Sequence, residues 1–284
     1  MTVSVGLVGS GPWARAFHAP VFAAGPETRL AGVWSPDPGH AARVGAPVFA
    51  SFERLLERCD AVVFAVPPDV QAVLAVEAAR AGRAVLLEKP LALDVSSAEN
   101  LAAEIERAGV PSMLTLTSRF RPGVRAFLRE CGRTSLYGGR ACQLTNEFRD
   151  GTFAHSPWRE RAGVLYNTGP HGLDLLDAAL GTIKEVRSAG DGLLAVTCLH
   201  EGGAISQLTL SGRIPGTGKR TIYELYGPHG ELRLDLADLA GDHEPTRATL
   251  RAEFAEAVRE WRPHAIDVHR GLHLQRLLAA VKTV

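Results

Sequence analysis

Two short stretches of the sequence carry side chains that can move a proton, LLEKP and YNTGPHGLDLL. In the second stretch His171 follows Asn167 by four residues, and side chains at that spacing share one face of a helix. An imidazole gains or loses a proton near neutral pH, whereas an amide only donates and accepts hydrogen bonds. The pattern therefore predicts that His171 can act as a general acid or base, and that Asn167 can orient a ligand beside it.

A structural interpretation of the same helix stays open. Asn167 or Thr168 would be a good N-cap, and Pro170 suits the first turn of a helix that begins there. In that case His171 would be a histidine satisfied within the core.

The LLEKP stretch places two charged residues at the end of an apolar run. Side chains at the carboxyl end of a parallel strand point into the crevice where ligands bind, and Glu88 and Lys89 occupy that position. A desolvated lysine has a lowered pKa and can hydrogen-bond a substrate hydroxyl or carbonyl. Pro90 favours a special backbone turn, often with a cis peptide bond. A capped strand end with a surface ion pair is the alternative.

A glycine-rich turn follows the first apolar run, VSVGLV. Its first glycine allows a tight turn, its second lets a pyrophosphate approach the backbone, and a small residue at its end lets the helix pack closely on the strand. The free N–H groups and positive dipole at the helix start favour phosphate. The sequence therefore predicts a dinucleotide-binding loop made of Gly9, Ser10, Gly11, Pro12, Trp13 and Ala14.

The residue after the second strand bears on which dinucleotide binds. An acid there hydrogen-bonds the adenosine ribose and favours NAD, but this chain has the neutral Ser35. Because no arginine directly follows Ser35, the prediction is NAD or NADP, with a slight lean to NADP. Pro67 and Pro68, after the next apolar run, fit a loop that passes the cofactor.

The elements that must position these residues fall into two halves. Strand-like and helix-like stretches alternate over residues 1–118, which predicts a doubly wound parallel sheet. Strand-like runs separated by turn residues dominate 119–284 and predict a mostly antiparallel sheet with few helices. We expect an α/β domain followed by an α+β domain, with ligand chemistry between them.

Composition excludes several classes of protein. The 284 residues contain 31 Lys and Arg and 31 Asp and Glu, so a basic nucleic-acid-binding surface is not expected. No apolar run is long enough to cross a membrane, and no signal peptide is visible. The four widely spaced cysteines indicate reduced thiols, and we expect a cytoplasmic protein.

Three stretches taken in order, GLVGSGPWA, LLEKP and PWRERAGVLYNTGPHGLDLL, resemble the glucose–fructose oxidoreductase, inositol dehydrogenase and rhizopine-catabolism (Gfo/Idh/MocA) family. The resemblance implies an N-terminal Rossmann domain and a C-terminal domain with a large open sheet. That sheet often forms the interface of a dimer or tetramer. The resemblance also implies hydride exchange between nicotinamide and a sugar or polyol carbon, with Lys89 beside the nicotinamide.

The chain departs from the family pattern at one position of the third stretch. Members typically carry DxGxHxxD, and here His171 and Asp174 match while Asn167 replaces the first acid. We therefore expect Lys89 and His171 to perform the proton transfer and Asn167 only to orient the substrate. Further candidates for substrate binding are Trp158, Arg159 and Tyr166, and for Arg159 the anchoring of a loop is an equal alternative.

No metal site is expected. His269 and His273 have a spacing that can bind metal, but no acid or cysteine completes the set, so solvent-facing histidines are the better interpretation.

The function predicted is an NAD(P)-dependent oxidoreductase acting on a sugar, polyol or related hydroxy or keto compound. Asn167 leaves open a sensor or regulatory protein of the same fold that has lost this activity. A third alternative is an enzyme that uses transient oxidation for elimination or glycoside cleavage.

Overall fold

A computed structural model describes residues 1–150, 157–216 and 218–281. They form two compact units. The first unit contains residues 1–116 and 247–273, and the second contains residues 117–246 and the segment from Leu274 onward.

The first unit is built on a five-stranded sheet in the order β2-β1-β3-β4-β5, in which every pairing is parallel. Four of its strands are buried along their whole length, as near-continuous apolar runs in a parallel sheet should be. The predicted doubly wound sheet is confirmed. The strands are β1 (Val3–Val8), β2 (Thr28–Trp34), β3 (Ala61–Phe64), β4 (Ala84–Leu87) and β5 (Ser112–Leu114).

Helices connect these strands. The first connection begins as a π-helical turn, Ala14–His18, and continues as α1. α5 shows well-defined ends: the side chain of Asp94 caps its N-terminus, and Gly109 in the left-handed conformation closes its C-terminus. The helices are α1 (Ala19–Ala23), α2 (Pro38–Ala42), α3 (Phe52–Leu56), α4 (Pro68–Arg80) and α5 (Val95–Ala108).

The second unit is built on a six-stranded sheet in the order β11-β10-β6-β9-β8-β7. The β6–β9 pair is parallel and the other pairings are antiparallel, which confirms the predicted mostly antiparallel sheet. Its strands are β6 (Gly138–Leu144), β7 (Ile183–Ala189), β8 (Leu194–His200), β9 (Ile205–Ser211), β10 (Arg220–Gly227) and β11 (Gly230–Asp235).

The helices of the second half are more numerous than the sequence suggested. A 3₁₀ turn, Thr117–Phe120, precedes α6 (Pro122–Cys131), and the four-residue α7 (Glu147–Asp150) follows β6. The long α8 covers Pro157–Leu180 and packs on β9. The remaining elements are a 3₁₀ segment (Leu236–Asp242), α9 (His243–Glu260) and α10 (Val268–Ala280).

The start of α8 corrects the capping interpretation. Gly163, with φ 70° and ψ −173°, interrupts the helix, so its second part begins directly after that residue. Asn167 and Thr168 are therefore interior residues and not N-caps, and the Thr168 hydroxyl donates to Val164 O one turn back at 3.1 Å. Pro170 lies within the helix rather than in its first turn.

Residues near the C-terminus pack with the first unit. Leu114 N in β5 donates to Ile266 O at 2.8 Å, and Val268 N donates to Ser112 Oγ at 3.2 Å. The compact units therefore differ from a single division between residues 118 and 119, because residues 247–273 return to the parallel sheet. The division into functional domains 1–118 and 119–284 stays a prediction.

Candidate functional site

The glycine-rich turn after β1 has the geometry that close approach of a ligand requires. Gly9 has φ 107°, and a Cβ there would lie 2.4 Å from Ala65 O, so only glycine fits. A Cβ on Gly11 would meet no protein atom within 4 Å, so the loop has open space at that position. Arg15 N already donates to Gly11 O, which places the helix start directly at the turn. A strand, a tight turn and a helix N-terminus are the parts that hold a pyrophosphate.

Ser35 lies beside this turn, immediately after β2. The Ser10 hydroxyl donates to Ser35 Oγ at 3.1 Å, which joins the turn to the end of the second strand. A cavity of about 320 Å³ opens there, lined by Trp34, Ser35, Pro36, Pro38, Ala50, Ser51, Phe52, Glu53, Leu74 and Glu77. Its described lining carries two carboxylates and no lysine or arginine.

The segment that follows β4 is held rigidly by one side chain of α4. Gln71 is fully buried, and its Oε1 accepts from Glu88 N at 2.7 Å while its Nε2 donates to Glu88 O at 2.8 Å and Leu91 O at 3.1 Å. The Lys89–Pro90 peptide bond between these points is cis. Strand pairing does not satisfy the backbone groups of this irregular turn. They form hydrogen bonds with the buried side-chain amide of Gln71 instead.

Glu88 turns its carboxylate toward the helix after the phosphate loop. Trp13 Nε1 donates to Glu88 Oε1 at 2.7 Å, and His18 Nε2 lies 2.8 Å from the same oxygen. His18 is fully buried, and its ring lies parallel to that of Phe22, with 6.3 Å between the ring centroids. Glu88 therefore ties the segment that carries Lys89 to the helix start, which is a structural role beside the predicted contact with cofactor.

Sequence reasoning did not assign His18 and Gln71 to this arrangement. His18 follows Ala14 by one helical turn and looks like a lone polar residue in an apolar stretch, AFHAPVF. Gln71 lies in the first turn of α4, three residues after the proline pair of the predicted cofactor loop. Only its proximity to that loop pointed to a role near the cofactor. Its hydrogen-bond partner, Glu88, is 17 residues away in the sequence.

In the second unit, α8 places Asn167 and His171 one turn apart. Asn167 is 6% exposed, and its Nδ2 donates to Glu147 Oε2 at 3.3 Å. The Tyr223 hydroxyl donates to His171 O at 3.4 Å and accepts from Gln143 Nε2 at 2.9 Å. Burial, and secondarily the charge of Asp174, raises the pKa of Tyr223 above its ordinary value, so its hydroxyl remains a neutral donor.

Asp174, the second residue that matches the family pattern, is 1% exposed and forms an ion pair with Arg119. Arg119 Nη1 lies 3.1 Å from Asp174 Oδ1 and 3.3 Å from Oδ2. Such a buried charge requires a partner. The ion pair fixes the 3₁₀ turn before α6 against the helix that carries His171.

The other predicted substrate contacts also lie on α8. Trp158 and Arg159 are in its first turn, with the Arg159 guanidinium 5.0 Å from the Trp158 ring centroid, and Tyr166 follows the break at Gly163. Each of the two units contains part of the predicted set. The first contains Gly9, Ser10, Gly11, Pro12, Trp13, Ser35, Pro67, Glu88 and Lys89, and the second contains Trp158, Arg159, Tyr166, Asn167 and His171. Their assignment to cofactor, substrate and catalysis stays a prediction.

None of the helices that the structure describes is long and apolar enough to cross a membrane. Across residues 1–150, 157–216 and 218–281, His, Cys, Asp and Glu side chains form no group of three or more suited to a metal ion.

Residues 3–116 match the Gfo/Idh/MocA family model, described as an oxidoreductase family with an NAD-binding Rossmann fold. Residues 3–116 therefore match the Rossmann domain of this family, and the resemblance drawn from the three motifs is confirmed.

Two relatives are named as dehydrogenases of a sugar and of a sugar nucleotide. D-apiose dehydrogenase of Paraburkholderia graminis is 28% identical over 176 residues, 55% of this chain and 46% of that protein. UDP-N-acetylglucosamine 3-dehydrogenase of Acidithiobacillus ferrooxidans is 32% identical over 131 residues, 45% of this chain and 41% of that protein. The chain thus aligns with less than half the length of these two relatives.

A solved structure shares the fold over nearly the whole length of the chain. The crystal structure of GenD2 from gentamicin A biosynthesis, in complex with NAD, has a TM-score of 0.83 and 24% identity. The similarity covers 99% of this chain and 93% of that one, and at this identity it shows a shared fold.

Proposed function

We propose that this protein is an NAD(P)-dependent oxidoreductase that transfers hydride between nicotinamide and a sugar, polyol or related hydroxy or keto compound. The observation that carries the proposal is the placement of Lys89 in an NAD-binding Rossmann domain. Lys89 is the second residue after β4. Gln71 bonds the backbone of Glu88 and Leu91 on either side of it, and Lys89 N donates to Glu88 Oε2. A lysine fixed at the carboxyl end of a parallel strand points toward the ligand crevice of such a sheet.

Oxidation of an alcohol carbon releases a hydride and a proton. Bound NAD(P) would take the hydride, and it would return it in the reverse direction. Lys89 and His171 are the proposed groups for the proton, because both side chains can bind it and release it. Lys89 would hydrogen-bond the reacting oxygen, and His171 would take the hydroxyl proton as base or return it as acid.

The remaining predicted residues would bind the substrate or the dinucleotide. Asn167, Tyr166, Arg159 and Trp158 present an amide, a phenol, a guanidinium and an aromatic face on α8, which suit the hydroxyl groups and apolar ring faces of a sugar. The phosphate turn and Ser35 would hold the dinucleotide, with Pro67 and Glu88 shaping the loops beside it.

For the choice of dinucleotide, we infer NAD. From the sequence, the neutral Ser35 alone slightly favoured NADP over NAD. The cavity beside Ser35 is lined by Glu53 and Glu77, and those carboxylates would repel a 2′-phosphate, which usually requires an arginine nearby. The negative charges that line the cavity support NAD, whereas the neutral hydroxyl of Ser35 favours neither dinucleotide strongly.

The C-terminal sheet is the proposed interface of a homo-oligomer. Gly138 pairs with Tyr226 on one side and Ile205 on the other, so these two apolar side chains share a face of the sheet. Ile205 is 55% exposed and Tyr226 is 38% exposed. Light scattering of the purified protein measures the oligomer, and a monomer at all concentrations would contradict this assignment.

Binding and turnover together test the proposed activity. The purified protein is titrated with NADH and with NADPH by nicotinamide fluorescence, and then screened against sugars, sugar nucleotides and their keto forms. Transfer of deuterium from 4-deuterated NADH to a product carbon would establish hydride transfer. Tight cofactor binding with no turnover on any compound would instead support a sensor or regulatory protein of the same fold.

A further inference from the structure

Glu147 is a carboxylate that the sequence patterns did not single out. It is the first residue of α7, which is separated from the end of β6 by two residues, and local hydrogen bonds fix its backbone position. Glu147 N donates to Thr145 Oγ1 at 3.3 Å, and Phe148 N donates to Gly212 O at 3.1 Å. Phe148 also packs tightly against Gly212, where a Cβ would lie 2.1 Å from the phenyl ring. The short helix is therefore anchored to the sheet.

The side chain of Glu147 reaches α8 at the position where the family acid is missing. Its Oε2 accepts from Asn167 Nδ2 at 3.3 Å, and Asn167 is 6% exposed. An ionised carboxylate only accepts hydrogen bonds, so the Asn167 amide must turn its nitrogen toward Glu147. Its Oδ1 is then directed away from Glu147 and is an acceptor.

We propose that Glu147 is a positioning residue for the proton transfer of this site, and that it supplies the negative charge that Asn167 does not carry. Glu147 fixes Asn167 Oδ1 as an acceptor, and its charge lies next to the helix turn that ends at His171. Side chains four residues apart on a helix are neighbours, and a nearby negative charge favours the protonated imidazole. The inference rests on the proposed function, because it assigns the partner of the group that moves the proton.

Other charged and polar groups among the described residues also lie near this turn. Asp174, one turn further along α8, forms an ion pair with Arg119 from the 3₁₀ turn, so its charge is opposed. Tyr223 from β10 is a neutral donor to the His171 carbonyl. From β6 and β9, Gln143 and Leu208 lie beside Gly172.

Moving the charge tests the proposal. The variants are Glu147→Gln, Asn167→Asp and the double variant, with Glu231→Gln as a control on an exposed glutamate of the same unit. In Glu147→Gln we expect kcat to fall roughly tenfold with KM nearly unchanged, because the amide still accepts from Asn167 but no longer carries the negative charge. Asn167→Asp alone places two carboxylates together and should also lower kcat, because one of them then holds a proton. The double variant restores a single carboxylate and should recover kcat to within about threefold.

A second measurement does not depend on turnover. The His171 imidazole is titrated by NMR in the wild-type protein and in Glu147→Gln, with the assignment made by a His171→Gln variant. Loss of the negative charge should lower the pKa of His171, and the Glu231→Gln control should leave it unchanged.

The outcomes separate the two proposals. An unchanged His171 titration in Glu147→Gln overturns the role of Glu147, as does a loss of kcat that the double variant fails to recover. A wild-type protein that turns over no substrate overturns the proposed oxidoreductase activity, while the titration still tests the contact between Glu147 and the His171 turn. Thermal unfolding of each variant identifies a loss of activity that is caused by misfolding. If Glu147→Gln misfolds only in part, the NMR titration of His171 then tests the role of Glu147.

Discussion

Gln71 and Glu88 form a two-way hydrogen-bond pair: Glu88 N donates to Gln71 Oε1 at 2.7 Å, and Gln71 Nε2 donates to Glu88 O at 2.8 Å. The two residues are 17 positions apart, and Gln71 is fully buried. The same Nε2 also donates to Leu91 O at 3.1 Å, so a single amide holds the backbone on both sides of Lys89 and Pro90.

Replacing Gln71 with Leu should therefore destabilise the protein and misplace Lys89. The substitution keeps the volume but leaves buried backbone groups without partners, which costs about 1–3 kcal/mol of unfolding free energy. We also expect a lower kcat, because Lys89 loses its fixed backbone. Urea unfolding and steady-state kinetics measure the two effects. Gln207→Leu, at an exposed position of β9, is the matched control, and equal behaviour of both variants would refute the role of Gln71.

The two glycines of the phosphate turn should respond differently to substitution. Gly9→Ala should destabilise the protein, because the residue has φ 107° and its Cβ would lie 2.4 Å from Ala65 O. Gly11→Val should leave stability nearly unchanged and abolish dinucleotide binding, since its side chain enters open space where the pyrophosphate would lie. Thermal unfolding and NADH titration separate the two effects. Wild-type NADH affinity in Gly11→Val would contradict the placement of the phosphates.

Much of this arrangement follows from local sequence. VSVGLV followed by GSGPWA predicts a buried strand, a tight turn and a helix, and the structure has β1, the Gly9 turn and a helical start at that place. In the first half, strands alternate with helices, which predicts a parallel sheet that helices bury on both faces. In the second half, strands alternate with turns, which predicts an antiparallel sheet buried on one face. The structure has both sheets.

Long-range contacts are what the sequence does not reveal. Gln71 with Glu88, His18 with Glu88, and Asn167 with Glu147 each join residues from separate elements. No spacing rule connects such residues, because their distance depends on how the sheet is ordered. The break at Gly163 is also invisible locally: a glycine followed by helix-forming residues does not reveal that the helix starts before Asn167.

Ser35 should control the choice of dinucleotide. Ser35→Asp should raise the preference for NADH over NADPH, because an acid there hydrogen-bonds the ribose hydroxyls and repels a 2′-phosphate. Ser35→Arg should improve NADPH binding, with the largest gain when Glu53 is also changed to Gln, since that carboxylate lines the same cavity. Dissociation constants for both nucleotides measure the change. Ser96→Arg, on the first turn of α5, is a control for added charge, and an equal gain there would exclude a local effect.

Glu104 should make stability depend on acid pH. Its side-chain hydrogen bonds with Arg80 and then Arg107 lower its pKa from 4.5 to about 2. A depressed folded-state pKa contributes stability above the unfolded value of 4.5, and that contribution is lost as the pH falls toward about 2. Glu104→Gln should therefore be less stable than wild type at neutral pH, with a smaller difference near about pH 3. Urea unfolding at both pH values measures the two differences, and Glu106→Gln, an exposed neighbour on α5, is the control. A difference that stays constant between the two pH values would show that the ion pairs do not stabilise the fold.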